Sequence, residues 1–193
     1  MTFSILILAA GNSSRLGQPK QLIEFQGETL IRRITKTALT ISKDVLIVLG
    51  ANAELIEANL KPFTGQVKTV FNPDWQEGMG TSINIGVQQL ANNTDAIMVL
   101  LCDQPFVTAE KLQEILQRFA NFHQPIIACQ YKNQLGVPMI FDKTIFPELL
   151  KLKGDRGARA FLHKYEGKIG VIDFQEGSFD IDTLEDLKQL NTF

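Results

Sequence analysis

The sequence is poor in the side chains that build disulfide frameworks and structural metal sites. Its 193 residues include two cysteines, Cys102 and Cys129, and two histidines, His123 and His163. Both cysteines lie in apolar stretches, and no two of the four side chains have the spacing of a ligand pair. We therefore expect no structural zinc site. We interpret the cysteines as reduced core thiols of a cytoplasmic protein.

An excess of positive charge and long hydrophobic runs are also lacking. Nineteen basic and 21 acidic side chains give a net charge of −2, so the overall charge does not favour nucleic acid or an anionic membrane surface as a partner. No apolar run approaches the roughly 20 residues that cross a bilayer. The N-terminal apolar stretch has neither a basic flank nor a small-residue cleavage site, which argues against a secretory signal.

The length and composition are those of an ordinary globular protein. A chain of 193 residues with 45% hydrophobic and 21% charged side chains can bury a sizeable core. We therefore expect one domain over residues 1–193, with no nucleic-acid or membrane partner.

The first apolar run is followed by neither of the two best-known phosphate-binding motifs. Residues 5–9 predict a buried strand that ends in a tight turn at Ala10 and Gly11. The next residues contain no Gly-Lys-Ser/Thr ending of a P-loop and no G-x-G-x-x-G of a dinucleotide fold. Any phosphate site here must be built differently.

The loop after this strand nevertheless has the composition of an anion-binding site. Small side chains at Ala10, Gly11, Ser13 and Ser14 let backbone N–H groups approach an anion, and the two serine hydroxyls add donors. Arg15 offers a planar fork for phosphate oxygens, whereas Lys20 offers a mobile point charge. An alternative stays open, because similar turns occur in α/β proteins that bind nothing there.

Strand-like apolar runs alternate with amphipathic helical stretches through most of the chain, which predicts a three-layer α/β fold. Strands are predicted over residues 5–9, 45–49, 67–71, 96–101, 126–130, 136–141 and 169–174. Helices are predicted over residues 29–39, 53–60, 83–90, 109–119, 145–152 and from residue 184. A polar turn at residues 132–134 joins two of the strands, so at least one is expected to run antiparallel in a mixed sheet.

Acidic side chains near two of these strands suggest a metal site. Asp103 follows the run 96–101, and the carboxyl end of a central parallel strand lies beside the ligand crevice of an open α/β sheet. Mg²⁺ would be a natural partner there, since it takes one or two carboxylates together with phosphate oxygens. Asp180 and Asp182 alternate with apolar residues and so point to one side of an extended segment. Thr183 instead allows a helix cap, with Asp182 acting on the helix dipole.

Three other segments carry groups that suit a ligand but have ordinary structural interpretations too. The polar residues 72–82 open a helix, whose first N–H groups are unpaired donors. Packing alone would favour a capped helix with Trp75 and Met79 in the core. Residues 152–159 place glycines around charged side chains, as an anion site or a solvated helix start would. Residues 136–138 permit a bend or the approach of a substrate.

Taken together, these segments resemble the nucleotidyltransferases that share the sugar-nucleotide transferase fold. The first loop, Leu8-Ala9-Ala10-Gly11-x-Ser13-x-Arg15-x-Gly17-x-x-Lys20, is similar to the signature of that family. Four more motifs follow in the expected order: Asn-Pro-x-Trp-x-x-Gly-Met-x-x-Ser at 72–82, Asp-Gln-Pro at 103–105, Gly-Asp-x-Gly-Ala-Arg at 154–159 and Asp-x-Asp-Thr at 180–183. Cys102 replaces the usual Gly, and Leu184 replaces the usual Pro. Gln21-Leu22 and residues 154–159 further resemble the molybdenum cofactor cytidylyltransferase branch.

The resemblance implies a three-layer, Rossmann-like nucleotidyltransferase fold with a mixed, mostly parallel central sheet. The implied reaction is transfer of CMP from CTP to the phosphate of molybdopterin, or molybdenum cofactor, with release of pyrophosphate. Ala9-Ala10-Gly11 resembles the cytidylyl version of the loop, where the guanylyl version has Leu-Ala-Gly-Gly. Guanylyl transfer, a sugar phosphate or another phosphorylated acceptor, and a non-catalytic nucleotide- or cofactor-binding protein are the alternatives. A molybdoenzyme or its chaperone would be the downstream partner.

The resemblance also implies a role for individual residues. The expected catalytic residues are Arg15, Lys20 and Asp103. The expected nucleotide-binding residues are Leu8, Ala9, Ala10, Gly11, Ser13, Arg15, Lys20, Gly78, Met79 and Ser82. The expected acceptor-binding residues are Gly136, Pro138, Gly154, Asp155, Gly157 and Arg159. Asp103 and Asp182 are the expected ligands of Mg²⁺.

Overall fold

The computed structural model describes residues 1–14, 16–122, 124–155, 157–181 and 184–190. The strands in these ranges are β1 (Phe3–Ala9), β2 (Glu24–Phe25), β3 (Glu28–Thr29), β4 (Val45–Leu49), β5 (Lys68–Phe71), β6 (Ala96–Leu101), β7 (Ile126–Tyr131), β8 (Gln134–Asp142) and β9 (Ile169–Asp173). The α-helices are α1 (Leu30–Leu39), α2 (Ala53–Leu60), α3 (Met79–Leu90), α4 (Ala109–Phe122), α5 (Phe146–Leu149), α6 (Arg159–Leu162) and α7 (Leu184–Leu190).

Seven of the strands form one sheet in the order β5-β4-β1-β6-β8-β7-β9. The first four are parallel to one another, and β9 is parallel to β7. β8 is antiparallel to both of its neighbours, β6 and β7. The predicted α/β fold with a mixed, mostly parallel central sheet is therefore confirmed. β2 and β3 pair in a separate short hairpin.

Both faces of this sheet are covered, which gives the three predicted layers. In β1, Ile5 and Ile7 pack on the side of α1, α2 and α4, and Leu6 and Leu8 pack on the side of α3, α5 and α6. Successive side chains of a strand point to opposite faces, so a strand covered on both sides reads as a continuous apolar run. This explains why β1 was visible in the sequence.

Helix α3 lies directly on β1 because the residue of α3 at the contact, Gly86, has no side chain. A Cβ atom at Gly86 would collide with the side chain of Leu6. The close approach sets the amino end of α3, at Met79, beside the carboxyl end of the parallel strands, where open α/β sheets bind their ligands.

A third apolar cluster ties the two ends of the chain together. It joins Leu16, Ile23 and Phe25 from the first loop and hairpin with Ile181 and other residues of the C-terminal segment. The backbone N–H of Ile181 donates to the carbonyl of Asp103 at 3.4 Å. The acidic C-terminal segment therefore reaches the end of β6.

Three predicted helices differ from the observed ones, and the first is α3, which begins at Met79 rather than at residue 83. Instead of a helix over 145–152, the structure has a 3-10 turn at Lys143–Ile145 and the four-residue α5, after which Leu152 N–H bonds the carbonyl three residues back. Pro147, in the first turn of α5, allows a helix to start there but not to extend from further upstream. α4 continues three residues beyond the predicted end. In the ranges the structure describes, no helix has the length and apolarity to cross a bilayer.

Candidate functional site

Two adjoining cavities lie at the carboxyl ends of β1 and β6. The first has a volume of about 610 Å³ and is lined by Leu8, Ala9, Ala10, Gly11, Asn12, Lys20, Gln21, Trp75, Gln76, Gly78, Met79, Ser82, Leu101, Cys102, Asp103 and Asp155. The second has a volume of about 220 Å³ and is lined by Met79, Ile83, Val99, Leu101, Tyr131, Gly136, Val137, Met139, Phe141, Asp155, Gly157, Ala158, Arg159 and Asp180. Met79, Leu101 and Asp155 belong to both walls. The cavities are therefore neighbours across a shared partition.

The first loop, residues 10–20, forms one side of the first cavity. The hydroxyl of Ser13 accepts a hydrogen bond from the backbone N–H of Lys20 at 3.0 Å, so it closes the loop and does not line the cavity. Asn12 takes the lining position next to Gly11, and its carboxamide oxygen accepts from the N–H of Ser14 at 3.1 Å. Arg15, a predicted catalytic residue, lies outside the described residues.

Lys20 and Asp103 form a buried ion pair on the cavity wall. The ammonium of Lys20 contacts Asp103 Oδ2, and Asp103 is only 6% exposed. Its other oxygen, Oδ1, is buried and has no hydrogen-bond partner in the part of the chain that is described. Burying an ion pair away from water carries a high desolvation cost, and an unpaired oxygen adds to it. An oxygen ligand in this state suits a hard divalent cation.

The rest of the predicted metal site lies outside the described residues, because Asp182 is not among them. Within the described ranges, no group of three or more His, Cys, Asp or Glu side chains is placed to hold a metal ion. Asp103 would therefore be one ligand of a cation that completes its coordination with phosphate oxygens, water or residues not described. The bond from the N–H of Ile181 to the carbonyl of Asp103 brings Ile181 to the carboxyl end of β6.

Cys102, where the family motif has Gly, is buried beside the ion pair and lines the first cavity. Burial raises the pKa of its thiol to about 12, and the charge of Asp103 acts in the same direction. The thiol therefore stays neutral at physiological pH. It adds volume next to Asp103 without adding charge.

The segment before α3 forms the opposite wall. Trp75–Glu77 make a 3-10 turn, and Gly78 follows with φ of 113°, a conformation that favours glycine. The side chain of Asn72 donates to Ser82 Oγ at 2.9 Å and so ties this turn to the first turn of α3. The structure brings Gly78, Met79 and Ser82 to the same cavity as the first loop, which is the grouping the sequence predicts.

Residues 153–155 pack against the start of α3 through backbone atoms. The N–H of Gly80 donates to the carbonyl of Gly154 at 2.8 Å. A Cβ atom at Gly80 would lie 2.8 Å from backbone atoms of Lys153, and one at Gly78 would collide with Asp155. These contacts place Asp155 in the partition between the two cavities. Gly154 itself lies behind the partition and lines neither cavity.

The second cavity is lined mainly by apolar side chains, with a few polar groups at its edge. Gly136, Asp155, Gly157 and Arg159 line it, as the sequence predicts for an acceptor site, but Pro138 does not. Arg159 Nε donates to the carbonyl of Leu135 at 2.9 Å, which anchors the guanidinium at the rim.

Tyr131 and Asp180 complete the polar edge of the second cavity. The Tyr131 ring lies over Gly136, where any side chain would collide with its hydroxyl. Burial raises the pKa of Tyr131, and the nearby Asp180 carboxylate acts in the same direction. The phenol is therefore a neutral hydrogen-bonding group at physiological pH.

Sequence reasoning missed several residues of the two walls. The missed residues of the first cavity are Asn12, Gln21, Trp75, Gln76, Leu101 and Cys102. Those of the second are Ile83, Leu101, Val99, Tyr131, Val137, Met139, Phe141 and Ala158, whereas Asp180 was considered as a carboxylate near the metal site and not as a residue of this cavity. Leu101 and Tyr131 end their strands on the ligand side of the sheet, a signal that was available. The apolar side chains of the second cavity look like ordinary core residues in the sequence, so no local signal separates them.

Comparison with known proteins assigns this arrangement to a family. Residues 5–169 match the family model described as a MobA-like NTP transferase domain. The chain belongs to this family. The matched segment contains the first loop, the start of α3, Asp103 and residues 153–155, so the nucleotidyltransferase resemblance of the sequence is confirmed at family level.

Two curated relatives cover almost the whole chain, and a third covers about three quarters of it. It is 34% identical over 201 residues to nicotine blue oxidoreductase from Paenarthrobacter nicotinovorans, covering 96% of this chain and 94% of that protein. It is 29% identical to the purine catabolism protein PucB from Bacillus subtilis, with 93% and 90% covered. A probable molybdenum cofactor guanylyltransferase from Bacillus cytotoxicus is 26% identical, with 76% and 72% covered. The names point to different substrates, so cytidylyl transfer stays a prediction.

Solved structures agree with the fold. The crystal structure of Rv0371c from Mycobacterium tuberculosis superposes with a TM-score of 0.84 at 25% identity, covering 100% of this chain and 98% of that one. A second structure of Rv0371c, in complex with manganese, has a TM-score of 0.79 at 24% identity, with 98% of each chain covered.

Proposed function

We propose that this NTP transferase moves CMP from CTP to the phosphate of molybdopterin. An ionised oxygen of the acceptor phosphate attacks the α-phosphorus of CTP, a new P–O bond forms, and the bond to the β-phosphate oxygen breaks. Pyrophosphate leaves with the electron pair of that bond. No general base is required, because the attacking oxygen already carries negative charge. The observation that carries the proposal is the pair of adjoining cavities with the Lys20–Asp103 pair in the wall of the first.

The first cavity has the features expected of the triphosphate site. Backbone N–H groups of the first loop and the ammonium of Lys20 would hold the phosphates, and Arg15 is assigned to the β- and γ-phosphate oxygens. Phosphoryl-type transfers depend mainly on positioning and charge neutralisation, so a preorganised set of donors can supply most of the rate enhancement.

Asp103 Oδ1 fits a magnesium ion, because it is a buried carboxylate oxygen without a hydrogen-bond partner among the described residues. We assign Asp103 and Asp182 as its ligands. The ion would neutralise charge on the phosphates when bound. The manganese complex of Rv0371c supports a divalent cation in this fold.

The second cavity favours a flat heterocyclic acceptor over a sugar phosphate. Its walls are mainly apolar, and sugar hydroxyls buried there would lack hydrogen-bond partners. A pterin ring could instead lie against Met139 and Phe141 while its polar edge meets Tyr131 or Asp180. Arg159, at the rim, is assigned to the acceptor phosphate.

The choice of CTP rests on the Ala9-Ala10-Gly11 sequence of the first loop. The guanylyltransferase relative makes GTP the first alternative. We further infer that the product is passed to a molybdoenzyme or its chaperone in the cytoplasm, in agreement with the two buried free cysteines. No nucleic acid or membrane takes part in this scheme.

Purified protein with Mg²⁺, molybdopterin and each of the four nucleoside triphosphates would test the proposal. We expect pyrophosphate release with CTP and a labelled dinucleotide product when the α-phosphate of CTP carries the label. Omission of the acceptor is the control. Equal or higher turnover with GTP would replace the cytidylyl assignment by a guanylyl one. Nucleotide binding without pyrophosphate release from any combination would indicate a binding protein.

The similarity to nicotine blue oxidoreductase makes a redox reaction the second candidate. The first loop lacks the G-x-G-x-x-G motif that would favour a dinucleotide electron donor. The same preparation can be assayed for consumption of nicotine blue with reduced nicotinamide or flavin cofactors. Turnover in that assay, together with none in the transferase assay, would favour the redox function.

A further inference from the structure

A buried glutamine holds the first loop from behind. Gln21 is fully buried, and its side-chain NH₂ group donates to two backbone carbonyls, Ala9 O at 2.9 Å and Gly11 O at 2.7 Å. The carbonyl between them, Ala10 O, accepts from the backbone N–H of Ala51 at 2.9 Å. Three consecutive carbonyls at the end of β1 are therefore held by the protein.

Holding these carbonyls also sets the direction of the N–H groups. A trans peptide unit is planar, and its C=O and N–H point in opposite directions. The bond to Gly11 O thus aims the N–H of Asn12 away from Gln21, and the bond to Ala10 O aims the N–H of Gly11 away from Ala51. Neither N–H has an acceptor in the described ranges, and both residues line the first cavity. Such N–H groups suit an anion.

The carbonyl oxygen of the Gln21 side chain indicates that packing alone does not explain a glutamine at this position. This oxygen, Oε1, is buried without a hydrogen-bond partner among the residues described. An unpaired buried oxygen lowers the stability of the folded protein. An apolar side chain of similar size would avoid this loss. The NH₂ group of the amide, which holds the loop carbonyls, is therefore the part that explains a glutamine here.

A second glutamine provides a matched comparison. Gln104 is 3% exposed, and its NH₂ group also donates to two carbonyls, Val137 O at 3.1 Å and Gly177 O at 2.9 Å. Its oxygen is likewise buried without a partner in the described part of the chain. These carbonyls belong to β8 and to the 175–178 turn, not to the first loop. The two side chains share their chemistry and burial but hold different segments.

We infer that Gln21 is a positioning residue for the triphosphate: its bond to Gly11 O turns the N–H of Asn12 toward the phosphates, and its bond to Ala9 O supports the neighbouring peptide that the Ala51 bond orients. The inference depends on the proposed triphosphate site. Gln21 lines the first cavity, but both of its donor bonds go to the loop backbone, so it acts on the phosphates through that backbone.

The test compares binding of inorganic tripolyphosphate and of cytidine, measured by calorimetry on the full chain. Gln21→Met keeps the size but removes both donors, and we expect about tenfold weaker tripolyphosphate binding with cytidine affinity unchanged. Gln21→Glu is expected to fall in between, because a buried carboxyl group is protonated and keeps one donor. Gln104→Met is expected to bind tripolyphosphate like the wild type.

A measurement on the wild-type protein covers the case in which Gln21→Met does not fold. Amide hydrogen exchange at Gly11 and Asn12 should slow when tripolyphosphate binds. The inference is wrong if exchange there is unchanged in the bound protein, if Gln21→Met binds tripolyphosphate as tightly as the wild type, or if Gln104→Met loses as much affinity. If the wild type binds no tripolyphosphate, the triphosphate site is wrong, and the inference about Gln21 falls with it.

Discussion

Strand β6 has an aspartate near each end, and each aspartate pairs with a lysine. At the amino end, Asp95 accepts from the N–H and hydroxyl of Thr2 at 3.0 and 3.1 Å and from Lys143 at 3.1 Å, so both of its oxygens have partners at an exposed surface. At the carboxyl end, Asp103 is buried with Lys20, and one of its oxygens has no partner in the described ranges.

The difference separates a structural carboxylate from a candidate functional one. A carboxylate that is exposed and has partners on both oxygens does not need a ligand to complete its bonding. A buried carboxylate with one unpaired oxygen costs stability, and such costs concentrate at sites where a ligand completes the bonding. The same residue pair at two ends of one strand thus has different consequences, because only one end faces the cavities.

The largest effect is expected from Lys20→Met. Removing the cation leaves Asp103 buried without its partner, which should cost about 3–5 kcal/mol of unfolding free energy, and turnover should fall by about 10²- to 10³-fold. Denaturant unfolding and pyrophosphate release measure the two effects. The double variant Lys20→Met/Asp103→Asn should recover stability but not turnover. Lys143→Met, the matched change at the exposed pair, should alter both little.

Asp103→Asn removes the other half of the buried ion pair, so it should lower both stability and turnover. The amide keeps the shape of the carboxylate but is a poor ligand for a cation, so we expect turnover to fall by about 10²-fold or more with a much smaller change in nucleotide affinity. Asp95→Asn is the control. Ordinary turnover in Asp103→Asn, or equal losses in the two variants, would remove the distinction between the two ends of β6.

An intermediate effect is expected from the contact between the start of α3 and residues 153–155. In Gly80→Ala, the new methyl group would press on the backbone of Lys153, and we expect a loss of about 1–3 kcal/mol in unfolding free energy. The loss would occur although alanine favours a helix by about 0.5–1 kcal/mol over glycine. Gly11→Ala is the stability control, because a Cβ there meets no atom within 4 Å. Wild-type stability in Gly80→Ala would show that the start of α3 is not in backbone contact with Lys153.

The smallest effect is expected from the pH response of the exposed pair. The hydrogen bond from the Thr2 N–H, and next the one from Lys143, lowers the pKa of Asp95 to about 2 from its ordinary value of 3.8. The ionised Asp95 carboxylate therefore makes its full contribution to the free energy of unfolding above about pH 4, and this contribution is lost as the pH falls toward 2. Melting temperatures between pH 5 and 2 should fall less steeply for Asp95→Asn than for the wild type. Parallel curves would contradict the assignment.

Most of the fold could be predicted because its signals are local. The strands β1, β4 and β6 are covered on both faces, so each is an unbroken apolar run of the right length. The extent of the helix predicted over 145–152 was wrong, since Pro147 and the 3-10 turn before it depend on how the chain leaves β8. Strand order is a property of the assembled sheet, and no local pattern determines it.

The candidate site could be predicted only in part. Glycines and charges at strand ends pointed to the first loop, to Asp103 and to residues 78–82, and the structure brings these groups to one cavity. Ser13, Pro138 and Gly154 line neither cavity. The Ser13 hydroxyl accepts from the N–H of Lys20, and the Gly154 carbonyl accepts from the N–H of Gly80. Asp182 and Arg15 stay predictions, since both lie outside the described residues.

The amino-acid sequence by itself determined the apolar strands, the polar loops at their ends and the family motifs, because these depend on residues close together in the chain. Only the tertiary structure decided that Lys20 meets Asp103, that Asp155 separates the two cavities, and that Gln21 and Gln104 hold different segments. Those contacts join residues far apart in the chain, and the order and packing of the strands bring them together. The tertiary structure also decides that Asp103 Oδ1 lacks a hydrogen-bond partner among the described residues, because this depends on which atoms surround it.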